Sequence, residues 1–89
     1  MTSKERAYLI KLSSNLSPVF QLGKEGFTPE VTKALLEVLE ARELIKINIL
    51  KNSPEDPKEV ARLIAERTSS ELVQVIGRKA VLYKPNKDP

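Results

Sequence analysis

Residues 44–50 alternate isoleucine with polar side chains: Ile45, Ile47 and Ile49 fall on one face, Lys46 and Asn48 on the other. A period of two with β-branched residues on one side marks a strand buried on that side, and such a strand needs both pairing partners and a covering layer. Three further segments fit the first role. Val19-Phe20-Gln21-Leu22 reads as a short strand, Leu72-Val73-Gln74-Val75-Ile76 as another and Ala80-Val81-Leu82-Tyr83 as a fourth. The last two are joined by a tight connection at Gly77-Arg78-Lys79.

The covering layer has to be helical. Thr2-Ser3-Lys4-Glu5 has the form of a capping box and opens a helix over residues 3–15. Leu9, Leu12 and Leu16 recur at helical spacing as its buried stripe, with Tyr8 at the edge and Lys4 and Lys11 on a shared solvent side. Ser17-Pro18 ends it. Thr28-Pro29-Glu30 caps a second helix that runs to Arg42, with Val31, Ala34, Leu35, Val38 and Leu39 as its apolar stripe. Asp56-Pro57-Lys58-Glu59 repeats that signature for a third helix, which ends at Thr68. The order α-β-α-β-α-β-β predicts an α/β fold, a two-layer sandwich with a mixed four-stranded sheet. One domain spans 1–85 and a frayed tail spans 86–89.

With 89 residues, of which 40% are hydrophobic and 30% charged, the chain builds one modest core and no second domain. No apolar run approaches the length of a bilayer, and Thr2-Ser3-Lys4-Glu5-Arg6 is unlike a secretory signal, so a cytoplasmic protein without membrane contact is expected. The absence of cysteine and histidine removes the thiolate nucleophile, the sulfur ligands and the side chain best suited to proton transfer near neutral pH. No nucleophile and base can be paired among the remaining carboxylates, lysines and hydroxyls. The chain is therefore expected not to be an enzyme, and no catalytic residue, metal ligand, cofactor or small-molecule substrate is assigned.

Charge is distributed unevenly. The net value of +3 resolves into +3 over residues 1–24, −3 over 25–45, zero over 46–77 and +3 over 78–89. The two basic segments form a patch if the fold brings them together, and otherwise they are independent solvated side chains.

Between the first strand and the second helix lies Gly23-Lys24-Glu25-Gly26. Two glycines allow a sharp turn with no Cβ in the way of a ligand, the helix N-terminus beyond them favours an anion, and Lys24 adds a mobile cation. A GXXG loop clamps nucleic-acid backbone in KH domains. Alone, the same four residues build an ordinary strand-to-helix turn. The spacing is not that of a Walker A loop, so nucleotide hydrolysis is unsupported.

Three blocks in order carry a wider likeness: residues 16–28 (LSPVFQLGKEGFT), 41–47 (ARELIKI) and 72–78 (LVQVIGR). Together they resemble the CRM domain, named for chloroplast RNA splicing and ribosome maturation, in its stand-alone prokaryotic YhbY-like form. The resemblance covers most of the chain. It implies an RNA-binding module similar in fold to the C-terminal domain of translation initiation factor three, associated with precursors of the large ribosomal subunit.

The expected RNA contacts are Gly23, Lys24, Glu25 and Gly26 of the loop, with Lys4, Lys11, Lys46, Arg78, Lys79 and Lys84 around it. Glu25, a carboxylate in a phosphate-facing loop, has to point away or be offset by neighbouring positive charge. Phe20, Phe27, Tyr8 and Tyr83 are too few for a stacking platform and are assigned to the core. The expected partner is structured RNA, probed by backbone and shape, with the protein acting as a monomer. The alternative is a protein-interaction or scaffold domain that uses Glu30, Glu37 and Glu40 of the acidic second helix.

Overall fold

The computed structural model describes residues 1–86, and residues 87–89, including Lys87 and most of the expected tail, lie outside the described residues. Seven elements occur in the expected order: α1 (Ser3–Ser13), β1 (Phe20–Leu22), α2 (Pro29–Ala41), β2 (Leu44–Ile49), α3 (Pro57–Thr68), β3 (Glu71–Ile76) and β4 (Lys79–Tyr83). Each helix starts at its expected cap. Thr2 and Glu5 form the reciprocal capping box, Thr28 accepts from the Val31 amide, and Asp56 accepts from the amides of Lys58 and Glu59.

The strands form one mixed sheet in the order β1-β2-β4-β3. β1 lies parallel to β2, with Phe20 opposite Ile47 and Leu22 opposite Ile49, a pairing that needs the crossover through α2. β2 with β4, and β3 with β4, are antiparallel. The β3–β4 hairpin turns on Gly77 and Arg78 alone: Ile76 pairs with Lys79, and Gly77 takes φ +57°, the left-handed value such a turn requires at its first position. β4 consequently begins one residue earlier than the apolar pattern suggests.

Ile45, Ile47 and Ile49 are fully buried on one face, joined by Leu22, Ala80 and Leu82 from the neighbouring strands. Leu35 and Leu39 of α2 and Val60, Ala61 and Ile64 of α3 close over them. Each large apolar side chain so enclosed contributes about 1.5–3 kcal/mol relative to exposure.

Alternation sends Val81 and Tyr83 to the opposite face, where α1 lies. Leu9 meets Val73 and Val81 there, with Ile10, Leu44 and Tyr83 around them. The sandwich thus gains a partial third layer, a refinement of the two layers expected.

The buried side of α1 differs from expectation. Leu12 is 45% and Tyr8 62% exposed, Leu16 is half-buried, and the helix docks through Arg6, Leu9, Ile10 and Ser13. The Arg6 guanidinium fixes this rotation by donating to the carbonyls of Leu72 at 3.0 Å and Val73 at 2.7 Å. Those carbonyls lie at a β-bulge between Leu72 and Gln74. α1 also ends at Ser13, short of residue 15. The hydroxyls of Ser13 and Ser14 turn back to the carbonyls of Ile10 and Lys11, at 2.8 and 2.7 Å, and so compete with further helix. Phe20 and Phe27 pack on the main core and Tyr83 on the smaller cluster, so Tyr8 is the one aromatic that the core does not take. No helix among the described residues is long and apolar enough to cross a membrane.

Candidate nucleic-acid interface

The sheet register determines which loops are neighbours. β1 and β2 end side by side and β4 starts beside the end of β2, so the 23–26 loop, the chain after β2 and the β3–β4 turn share one end of the sheet. The Leu50 amide donates to the Leu22 carbonyl at 2.9 Å, and the Ile49 amide to the Arg78 carbonyl at 2.7 Å. Leu50 is the meeting point. Its Cδ1 would lie 3.8 Å from a Cβ placed on Gly23, and its carbonyl accepts from the Arg78 guanidinium at 3.2 Å. Arg78 therefore ties the hairpin turn to the chain beside the loop. Lys24, Glu25 and Lys79 are exposed at this end, as is Lys51, which carries no sequence signal of its own.

The loop is closed by a hydrogen bond from the Gly26 amide to the Gly23 carbonyl at 3.0 Å. Gly26 is buried with φ +73°, and the Glu55 carboxylate presses against it. Glu55 Oε2 accepts from the Phe27 amide at 3.3 Å, while Oε1 accepts from the Ser53 hydroxyl at 3.1 Å. An intramolecular anion thus already occupies part of the loop. Lys24 is the exposed cation at the loop's tip, and Glu25 is exposed beside it.

A second group lies on the sheet face beside α1. Lys46, Val81 and Gln74 are cross-strand partners in one row over β2, β4 and β3, and Asn48, Lys79 and Ile76 form the next. The C-terminal end of α1 borders both rows, as Ile10, Ser13 and Ser14 line a cavity with Lys46, Gln74, Ile76, Lys79 and Val81. Lys11 is exposed in the last turn of α1, at this same end.

Lys4 and Lys84 are the two expected contacts that do not join. Lys4 sits in the first turn of α1, whose start lies near Ser69, Glu71 and Tyr83 at the opposite end of the sheet. Lys84 leaves β4 at that end, and its ammonium donates to the Thr68 carbonyl at 2.8 Å, capping α3. Lys11 and Lys24 of the first basic segment and Arg78 and Lys79 of the second lie towards the end of the sheet that holds the 23–26 loop. Nothing local marks Glu55 or Gln74 as neighbours of this group. One is brought by a loop 28 residues from Phe27, the other by the bulge in β3.

A family model for the CRS1 / YhbY (CRM) domain matches residues 1–84. "Probable RNA-binding protein YqeI" of Bacillus subtilis (strain 168) is 42% identical over 88 residues, covering 99% of this chain and 92% of its own. An "RNA-binding protein" of Haemophilus influenzae is 31% identical over 88 residues, covering 99% and 89%. The solution structure of SAV1595 from Staphylococcus aureus superposes with a TM-score of 0.83 at 44% identity, over 99% of this chain and 92% of that one. The match extends from α1 through β4, and the chain belongs to the CRS1 / YhbY (CRM) domain family.

Proposed function

We propose that this protein binds structured RNA through the end of the sheet where the 23–26 loop and the β3–β4 turn meet. The observation that carries the reading is their convergence on Leu50: Gly23 packs beside its side chain and Arg78 holds its carbonyl. Lys24 and Lys79 then stand exposed on the two sides of one surface, and Lys46 extends it across the sheet. Charges arranged this way suit phosphate contacts, which position a protein without reading base sequence. Relatives named as RNA-binding proteins support the ligand class.

In its finer form the reading takes the RNA to be ribosomal, within precursors of the large subunit, and the protein to be a cytoplasmic monomer that binds without catalysis. Affinity for a structured ribosomal RNA fragment is expected to fall steeply with added salt as counterions are released. Lys24→Ala and Lys79→Ala should each weaken binding and lower the salt slope by about one. Lys84→Ala should leave binding unchanged, because its ammonium is committed to the Thr68 carbonyl. Salt-independent binding, or a Lys24→Ala curve that superposes on the parent, would overturn the reading. Sedimentation with large-subunit precursors that disappears on RNase treatment tests the ribosomal part, whereas survival of the association favours a protein partner.

A further inference from the structure

We propose that the cavity between the C-terminal end of α1 and the open sheet face holds one unpaired nucleotide of the bound RNA. The inference rests on the RNA-binding reading and adds to it a preference for RNA that offers an unstacked base.

The cavity has a volume of about 200 Å³, below the roughly 300–1,000 Å³ usual for drug-sized ligands, so it admits a single flat ring system and not a folded oligonucleotide. Its apolar lining is Val81 and Ile76 of the sheet and Ile10 of α1. Ile76 is 63% exposed, which leaves an apolar wall facing solvent at the rim. A base has two such apolar faces to cover.

Polar groups complete the lining with both hydrogen-bonding senses. Gln74 brings an amide that donates and accepts. The hydroxyls of Ser13 and Ser14 already donate to helix carbonyls, so the lone pairs they present can only accept. A base edge, which alternates donors and acceptors, matches that set.

Lys46 and Lys79 supply the charge. Lys46 pairs with Val81, two residues along β4 from Lys79 on the same face, so the two lysines are diagonal neighbours about 7–8 Å apart. No acidic side chain lines the cavity among the described residues, which leaves two like charges converging on it without an internal counterion. An anionic group between them relieves that repulsion, and in a nucleotide the phosphate lies one sugar away from the base.

The arrangement is built by long-range features. The bulge in β3 places Val73 under Leu9 and Gln74 opposite Val81, while Arg6 holds α1 against the bulge carbonyls. Bulges of this kind re-aim side chains beside binding sites.

The test compares binding to an RNA hairpin with an unpaired loop and to the same stem closed as a blunt duplex, for the parent protein and two variants. The parent is expected to prefer the hairpin by about tenfold. Gln74→Ala should erase the preference while keeping duplex affinity, which also serves as its folding control. Lys79→Ala, at an exposed position, should weaken both complexes and the hairpin more. Equal parental affinity for hairpin and duplex, or a Gln74→Ala variant that keeps the preference, overturns the nucleotide site and leaves RNA binding intact. Failure to bind either RNA at low salt overturns the RNA-binding reading and the nucleotide site with it.

Discussion

The carboxylate of Glu55 stands where a side chain on residue 26 would have to go. A Cβ on Gly26 would lie 2.6 Å from Glu55 Oε2, and Gly26 holds φ +73°. Gly23 differs on both counts: its backbone is outside the left-handed region and the nearest atom to an added Cβ is 3.8 Å away. Of the two glycines of one loop, the fold therefore demands the second and leaves room for a side chain at the first.

Gly26→Ala is expected to cost about 1–3 kcal/mol, from the left-handed backbone and the displaced Glu55. Gly23→Ala should stay within about 0.5 kcal/mol of the parent, as alanine fits there in ordinary contact. Urea unfolding measures both. If Gly23→Ala keeps its stability but loses affinity for RNA, the backbone at residue 23 is a contact surface.

Replacing Glu55 by Gln keeps its shape and removes its charge. Phosphate approaching the 23–26 loop then meets one carboxylate fewer, so affinity for structured RNA should rise about two- to fivefold in low salt. The gain should shrink as salt is raised, because partly exposed charges are screened over about 8–10 Å at ordinary ionic strength. Titration at two salt concentrations checks this, and an unchanged affinity at low salt would place the RNA away from the loop.

The local signals in the sequence translate directly into structure. Caps at Thr2, Thr28 and Asp56 act within three residues, and the alternation at 45, 47 and 49 depends only on strand geometry, so all of them were legible. The rotation of α1 was not. Leu9-Leu12-Leu16 is an apolar stripe by spacing, but the helix is turned by Arg6, whose acceptors lie 66 and 67 residues away, and a polar side chain carries no hydrophobic signal. For the same reason the sequence could group Lys84 with the basic residues but could not show its ammonium spent on α3. The glycines and lysines of the site were visible as residue types. The convergence of Gly23 and Arg78 on Leu50 depends on strand register, which only the folded chain fixes.

That rotation has an energetic consequence. Leu9→Ala removes the one α1 leucine buried against Val73 and Val81, and should cost an amount near the lower end of about 2–5 kcal/mol, since the layer is thin and can settle. Leu12→Ala should change stability by less than about 0.5 kcal/mol, its side chain being exposed. Thermal or urea unfolding of the pair distinguishes the observed helix face from the one that leucine spacing alone suggests, which would predict similar losses.

The start of α1 should respond to acid. The Thr2 amide donates to Glu5 Oε1 at 2.9 Å, and this bond, followed by the contribution of the Thr2 side chain, holds the Glu5 carboxyl below its ordinary value. A carboxyl that ionises more readily folded than unfolded contributes fully above its unfolded value. The contribution is lost as pH falls through the lowered folded one. The Thr2 and Glu5 amides should accordingly lose protection, measured against their intrinsic exchange rates at each pH, on the acid side of the usual glutamate range. Glu5→Gln keeps a side chain able to accept from Thr2 but cannot titrate, so its first turn should show no such acid step. Amide exchange followed by NMR across that range resolves the two behaviours, and an acid step that persists in Glu5→Gln would assign it to another carboxylate.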